Sequence, residues 1–221
     1  KEAGKANKYV LFTEPAREGG KIVTARKGRL QYEIKITGRP AHAGSRHIDG
    51  RNAIKEMAHQ ILKIEALTDY ETGVSCSVGT IEGGTFTNVV PQECVITVDI
   101  RVPDMETGDE IMAIFEGLEA VDPDCSLEVT GGVDRPAYEK FDGIAKLFDQ
   151  AKEIAAEIGF DLQDMKTGGG SDGNFTGALG IPTLDGLGAD GKGAHTHDEF
   201  IYYSSLEDRA KLMLGLFEAL D

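Results

Sequence analysis

From Lys21 to Val133 the apolar residues change period in an order that few folds accommodate. Leu30, Tyr32, Ile34 and Ile36 alternate with Gln31, Glu33 and Lys35, the mark of a half-buried strand. Ile54, Met57, Ala58, Ile61 and Ile64 then recur at helical spacing. Val74 to Val78 alternates again, Gly83-Gly84 turns the chain, and Val95 to Val102 makes a further strand. Ile111 to Leu118 reads as a helix and Ser126 to Val129 as a last strand. The order β-α-β-β-α-β is that of a ferredoxin-like sandwich. It predicts a four-stranded antiparallel sheet with the helices near Ile54 and Ile111 on one face.

The flanking residues follow another plan. Ile144, Leu147, Phe148, Ala151, Ile154, Ala155 and Ile158 share one face of a helix, and Leu206 to Leu220 is a second amphipathic helix. Strands are expected at Tyr9–Phe12, around Asp161–Met165 and at Ile181–Leu184, giving an α/β arrangement. The chain therefore divides into residues 1–20, an insert at 21–133, and residues 134–221, which return to the first domain. Glycine pairs at both crossings, Gly19-Gly20 and Gly131-Gly132, are expected to act as hinges. Lys1 to Lys8 looks like the tail of a helix. A buried strand so near the start needs something to cover it, so the chain is expected to be a piece of a larger one.

Composition removes several classes of function. The 221 residues carry a net charge of −15, which repels nucleic acid and anionic membranes as partners. No apolar run approaches the roughly 18 residues of a membrane span, and KEAGKANK lacks the apolar core of a signal peptide. Cys76, Cys94 and Cys125 are widely spaced with no C-x-x-C, as expected of reduced thiols in a cytoplasmic protein rather than a disulfide framework or a cysteine zinc site.

Chemistry-bearing residues concentrate between Lys166 and Ile201. Gly168 to Gly170 can adopt backbone angles closed to other residues. Ser171-Asp172 can cap a helix from Gly173 to Leu179, leaving N–H groups free for an anion. A second glycine-rich loop delivers His195-Thr196-His197-Asp198-Glu199. The stretch reads as an active-site rim or as a glycine-rich surface loop. Glu14 follows a strand at the edge where α/β sheets bind ligands, or is a solvated acid before a turn. His42, flanked by small residues, projects from a tight loop or is polar surface. Asn88 can donate to and accept from a substrate, or belongs to a plain β-turn. Arg101 is expected to pair with Asp99 or another acid. Arg135 offers a bidentate match to a free carboxylate, or forms a surface ion pair.

Glu14-Pro15, Ala41-His42-Ala43-Gly44, Gly83-Gly84-Thr85 with Asn88-Val89-Val90-Pro91, Arg135-Pro136, GGGSD and Gly193-Ala194-His195 follow one another along nearly the whole chain. Together they resemble the M20 family of zinc peptidases, in particular its glutamate carboxypeptidase (carboxypeptidase G2) type. The resemblance implies part of a zinc-peptidase α/β catalytic domain with an inserted ferredoxin-like α+β lid and dimerisation domain at residues 21–133. It implies a homodimer formed through that insert and hydrolysis of an amide bond to a C-terminal amino acid, in a small peptide or N-acyl amino acid. Two zinc ions per active site are implied, with Glu14 and His195 as ligands of different ions. His42 is implied to polarise the scissile carbonyl in the neighbouring subunit's site. Asn88, Arg135 and the backbone of Gly169, Gly170 and Ser171 are implied to hold a substrate carboxylate.

The chain departs from the family at His197, where many relatives have proline or another residue. The family's H-x-D motif, bridging aspartate and Glu-Glu pair lie ahead of the Glu14 position, and no histidine precedes His42 here. The resemblance therefore covers the C-terminal portion, and the 221 residues alone are expected to be inactive. Two other readings compete. Gly169-Gly170-Ser171-Asp172-Gly173 fits G-x-S-x-G, with Asp185 or Asp190 and His195 downstream in serine-hydrolase order, although Asp161 to Thr167 is too polar for the buried strand that motif follows. The other is a non-catalytic dimerisation or binding module.

Overall fold

The computed structural model describes residues 7–220, so most of the helix tail expected at Lys1–Lys8 lies outside the described residues. Along the chain run β1 (Val10–Leu11), β2 (Ile22–Arg26), β3 (Gly28–Thr37), α1 (Ala53–Glu65), β4 (Ser75–Gly83), β5 (Glu93–Val102), α2 (Met105–Glu116) and β6 (Ser126–Arg135). They continue with α3 (Asp142–Ile158), β7 (Asp164–Thr167), α4 (Gly173–Gly177), β8 (Thr183–Leu184), β9 (Gly191–Lys192), β10 (Phe200–Ile201) and α5 (Ser205–Ala219). Two compact units result: Gly28–Asp134, and the residues up to Lys27 together with those from Arg135 on.

In the unit Gly28–Asp134 the strands lie in the order β4-β5-β3-β6, the ferredoxin-like order. β3 and β5 pair antiparallel from Gly28 opposite Val102 to Thr37 opposite Glu93. Alternate residues of both strands, Leu30, Ile34, Ile36, Ile96, Ile100 and Val102, are fully buried with Met57 and Ile64 of α1 and Phe115 of α2. Both helices therefore cover one face, and the Tyr32 and Phe115 rings stack with centroids 4.4 Å apart. Each such side chain contributes about 1.5–3 kcal/mol by leaving water. The helix starts are capped: Asn52 accepts from the Lys55 N–H, and Asp104 from the Thr107 N–H. That cap starts α2 at Met105, well ahead of Ile111, where its polar first turn hides the helix from a hydrophobic pattern.

The glycine pairs are not where the units meet. Gly131 and Gly132 lie inside β6, where a side chain on Gly131 would fall 2.1 Å from the Gln31 carbonyl oxygen. Gly19 and Gly20, at φ 77° and 75°, form a turn closed by the Arg17 N–H donating to the Lys21 carbonyl. The crossings fall instead at Lys27–Gly28 and Asp134–Arg135. β2, which the sequence pattern does not announce, is the reason for the first. All five of its residues are buried, so nothing alternates, and it pairs parallel with β7 in the other unit.

That other unit joins β1 to β8 and β2 to β7 in parallel, with a bridge from Val23 to Asp185. Ile144, Leu147, Ala151 and Ala155 of α3 and Leu212 and Leu216 of α5 pack with Ile22 and Leu184. α3 ends at Gly159, whose φ of 111° suits glycine. β1 is shorter and less buried than expected, with Val10 and Leu11 only half-buried. No helix among the described residues is long and apolar enough to cross a membrane.

Candidate functional site

The segment after β1 is held against the segment after β8. The Leu187 N–H donates to Phe12 O, Gly188 N–H to Glu14 O and Ala16 N–H to Ala189 O, at 2.9–3.1 Å. Gly188 permits this approach, since a β-carbon there would lie 2.6 Å from Thr13 O. Glu14 is thereby fixed at the mouth of a cleft of about 720 Å³, which Arg17, Arg135, Gly170, Ser171, Asp172 and His195 also line. The antiparallel ribbon of β9 and β10 carries His195 on its turn, where Gly193 O accepts from both the N–H and the hydroxyl of Thr196. His195 has a φ of 66°, the single positive value for a non-glycine among the described residues. Such a conformation costs on the order of 1–3 kcal/mol and concentrates at functional sites.

Arg135 forms an ion pair and also lines the cleft. Its Nη2 lies 3.3 Å from Asp172 Oδ1, its guanidinium sits 5.3 Å from the centre of the Phe175 ring, and it lines the cleft. Asp172 is 72 % exposed on its side chain, so the ion pair is weak and a ligand carboxylate can compete for the guanidinium.

The glycine loop differs from expectation in one respect. The Ser171 N–H donates to Asn174 Oδ1, the Gly173 N–H to Ser171 Oγ and the Gly169 N–H to Thr167 Oγ1. α4 spans only Gly173–Gly177, and Asp172 makes no side-chain cap. The donors at this helix start are thus consumed internally. In the loop, the N–H groups of Gly170 and Asp172 have no protein acceptor among the described residues. The Ser171 hydroxyl is buried and donates to Asp185 Oδ2, with no imidazole bonded to it among the described residues, an arrangement unlike a nucleophile elbow served by His195.

His42 and Asn88 belong to the unit Gly28–Asp134. Their loops run side by side, joined by Ala43 N–H to Asn88 O and Val90 N–H to Ala41 O, each 2.9 Å. His42 Nδ1 accepts the Gly44 and Ser45 N–H groups at 3.1 and 3.2 Å. An Nδ1 that accepts hydrogen bonds leaves Nε2 to carry the ring's N–H donor. Arg101 pairs with Asp99 at 2.6 Å, as expected, and Arg29 joins it. Burial alone would raise the Asp99 carboxyl, but hydrogen bonds from the two arginines outweigh it and hold it below the usual range.

Glu14 and His195 suit a zinc ion in kind, one oxygen and one nitrogen donor on one cleft. They do not suffice in number. Among the described residues no three His, Cys, Asp or Glu side chains are gathered to hold a metal. His197 is exposed and outside the cleft lining. Arg17 was not singled out by the sequence, where it looks like ordinary surface charge between Ala16 and Glu18. It lines the cleft, and its Nε is buried with no hydrogen-bond partner among the described residues.

Residues 24–118 match the model of the M20 peptidase dimerisation domain. Carboxypeptidase G2 of a Pseudomonas species is 28 % identical over 97 % of this chain and 54 % of its own length. A tripeptidase of Staphylococcus aureus superposes with a TM-score of 0.82 at 25 % identity, over 96 % of this chain and 57 % of that one. A dinuclear metal-binding peptidase of the M20 family from Bacillus subtilis shares the fold, with a TM-score of 0.68 at 18 % identity over 97 % of this chain and 58 % of that one. The chain spans about half the length of the curated relatives it matches. Its relatives include peptidases and amidohydrolases, its structural neighbours include an M20 peptidase, and residues 24–118 carry the match to that family's dimerisation domain.

Proposed function

We propose that these residues serve a zinc-dependent M20-type hydrolase that cleaves an amide bond to a C-terminal amino acid in a small peptide or N-acyl amino acid. One observation carries the reading: Glu14, Arg135, the glycine loop and His195, far apart in sequence, line a single cleft. Arg135, the Gly169–Ser171 backbone and Asn88 hold the substrate's carboxylate. His42 presents its Nε2 N–H to the carbonyl under attack in the neighbouring subunit's site, where a donor stabilises developing negative charge. Glu14 and His195 each contribute one ligand to zinc, whose chemistry in such enzymes is to lower the pKa of a water. A polypeptide of only these 221 residues, lacking further ligands and a general base, is expected to bind zinc weakly and to leave amide bonds intact. The unpaired, buried Cys76, Cys94 and Cys125 suit a reducing compartment such as the cytoplasm.

The test is Arg135→Lys, measured as binding of N-acetyl-L-alanine and of its amide. Losing the bidentate fork should weaken carboxylate binding by about 1.5–3 kcal/mol, the range for bonds to charged groups, and leave the amide unaffected. Equal effects on both ligands would remove Arg135 from the site.

A further inference from the structure

Beneath the glycine loop lies a polar network that the chemistry above does not use. Arg26, from β2, and Asp185, just after β8, are both fully buried. Arg26 Nε and Nη2 donate to Asp185 Oδ2 at 3.0 and 2.8 Å, while its Nη1 reaches out of the pair to Gly169 O at 2.6 Å. Asp185 in turn accepts the Ser171 hydroxyl on Oδ2 and the Gly186 N–H on Oδ1. Asn174, fully buried, takes the Ser171 N–H and donates to the carbonyls of Lys27 and Pro136.

A buried ion pair is a poor device for stability alone, because well-packed apolar residues of similar size are often as good or better. This pair spends its spare hydrogen bonds on two points of one loop, Gly169 O and Ser171 Oγ. Gly170, whose N–H has no acceptor among the described residues, lies between those points, and Asp172 lies between Ser171 and Gly173, whose N–H is held by Ser171 Oγ. Gly173 fits the same purpose, since a β-carbon there would fall 2.7 Å from Asp185 Oδ2.

We propose that Arg26 and Asp185 are positioning residues that set the backbone of Gly169–Gly173 for ligand binding, rather than a stabilising pair of the core. The proposal rests on the reading that this loop faces substrate.

The experiment compares the full chain with Arg26→Met/Asp185→Leu, an apolar replacement of the whole pair. Thermal melting, amide hydrogen exchange and binding of N-acetyl-L-alanine are measured on each. A positioning role predicts a melting temperature near the parent's, exchange at residues 169–174 faster by about tenfold with α3 unchanged, and binding weaker by about tenfold. Parent-like exchange in the loop, or a loss of protection spread evenly over the unit, overturns it. Should the double variant fail to fold, Ser171→Ala cuts one link. It must then speed exchange of the Gly169 and Ser171 N–H groups, whose own acceptors, Thr167 Oγ1 and Asn174 Oδ1, it leaves in place, and unchanged rates there overturn the proposal. If the parent itself does not bind N-acetyl-L-alanine, the carboxylate reading fails, while the exchange data still decide for or against positioning.

Discussion

At the scale of single residues, the site is legible where chemistry needs a rare residue in a rare setting and hidden where it uses common charges. His195 stands in a glycine frame, and that frame is what turns a histidine into a left-handed position on a cleft. Arg26 and Asp185 look like any other charges in a chain with 23 basic and 38 acidic residues, and only burial distinguishes them. Glu56 is hidden in the same way. It is 2 % exposed in α1, and its carboxylate accepts the Gln60 amide and the N–H groups of Val121 and Asp122. Burial would raise its pKa, but the Val121 N–H, the Gln60 amide, the Asp122 N–H and the charge of His59 together hold it below the usual value. A folded pKa below the unfolded one, about 4.3, means stability that is full above that value and lost as pH falls through the lower one. Glu56→Gln, which cannot accept all three bonds, should cost about 1–3 kcal/mol at pH 7 by urea unfolding. The gap to the parent should close as pH drops below about 4. A difference that stays constant down to pH 3 would mean the carboxylate charge is not what holds the Glu119–Asp122 turn.

Among elements, alternating strands and amphipathic helices are legible because water on one side forces a period on the residues. β3, α1, β5 and α3 lie where their patterns predict them, within a few residues. β2 is lost for the opposite reason, being buried on both faces. β6 is cut short in the sequence by its own glycines, which read as a hinge. The structure gives them a different task. Gly131 brings β6 so close to β3 that a β-carbon would strike the Gln31 carbonyl, and its φ of 141° disfavours any side chain. A residue in a flexible crossing would tolerate alanine. Gly131→Ala should instead destabilise the unit Gly28–Asp134 by about 1–3 kcal/mol or more, the cost of overpacking that must move backbone. Gly132→Ala, with no atom within 4 Å of the added carbon, should cost less. Equal, small effects at both positions in thermal melts would restore the hinge.

For the whole molecule, net charge and sheet edges pull in opposite directions. The chain carries −15, so two copies repel at distance. The sheet of the unit Gly28–Asp134 nevertheless ends in β4, an edge strand whose outer backbone groups pair with no other strand of the sheet. Ile81 on β4 and Leu62 on α1 are 53 % and 71 % exposed, apolar surface of the kind that self-association covers. A match to a peptidase dimerisation domain at residues 24–118 falls over the same elements. Short-range contact should therefore hold two copies together against a long-range repulsion that salt screens. Sedimentation at micromolar concentration should show a dimer whose dissociation constant falls as ionic strength rises from about 0.02 to 0.5 M. Leu62→Lys should shift it toward monomer by adding a charge that must be desolvated at the contact. A chain that stays monomeric at high salt would show that this edge is not the dimer interface. A dimer that salt weakens would show that ion pairs, not apolar contact, hold it.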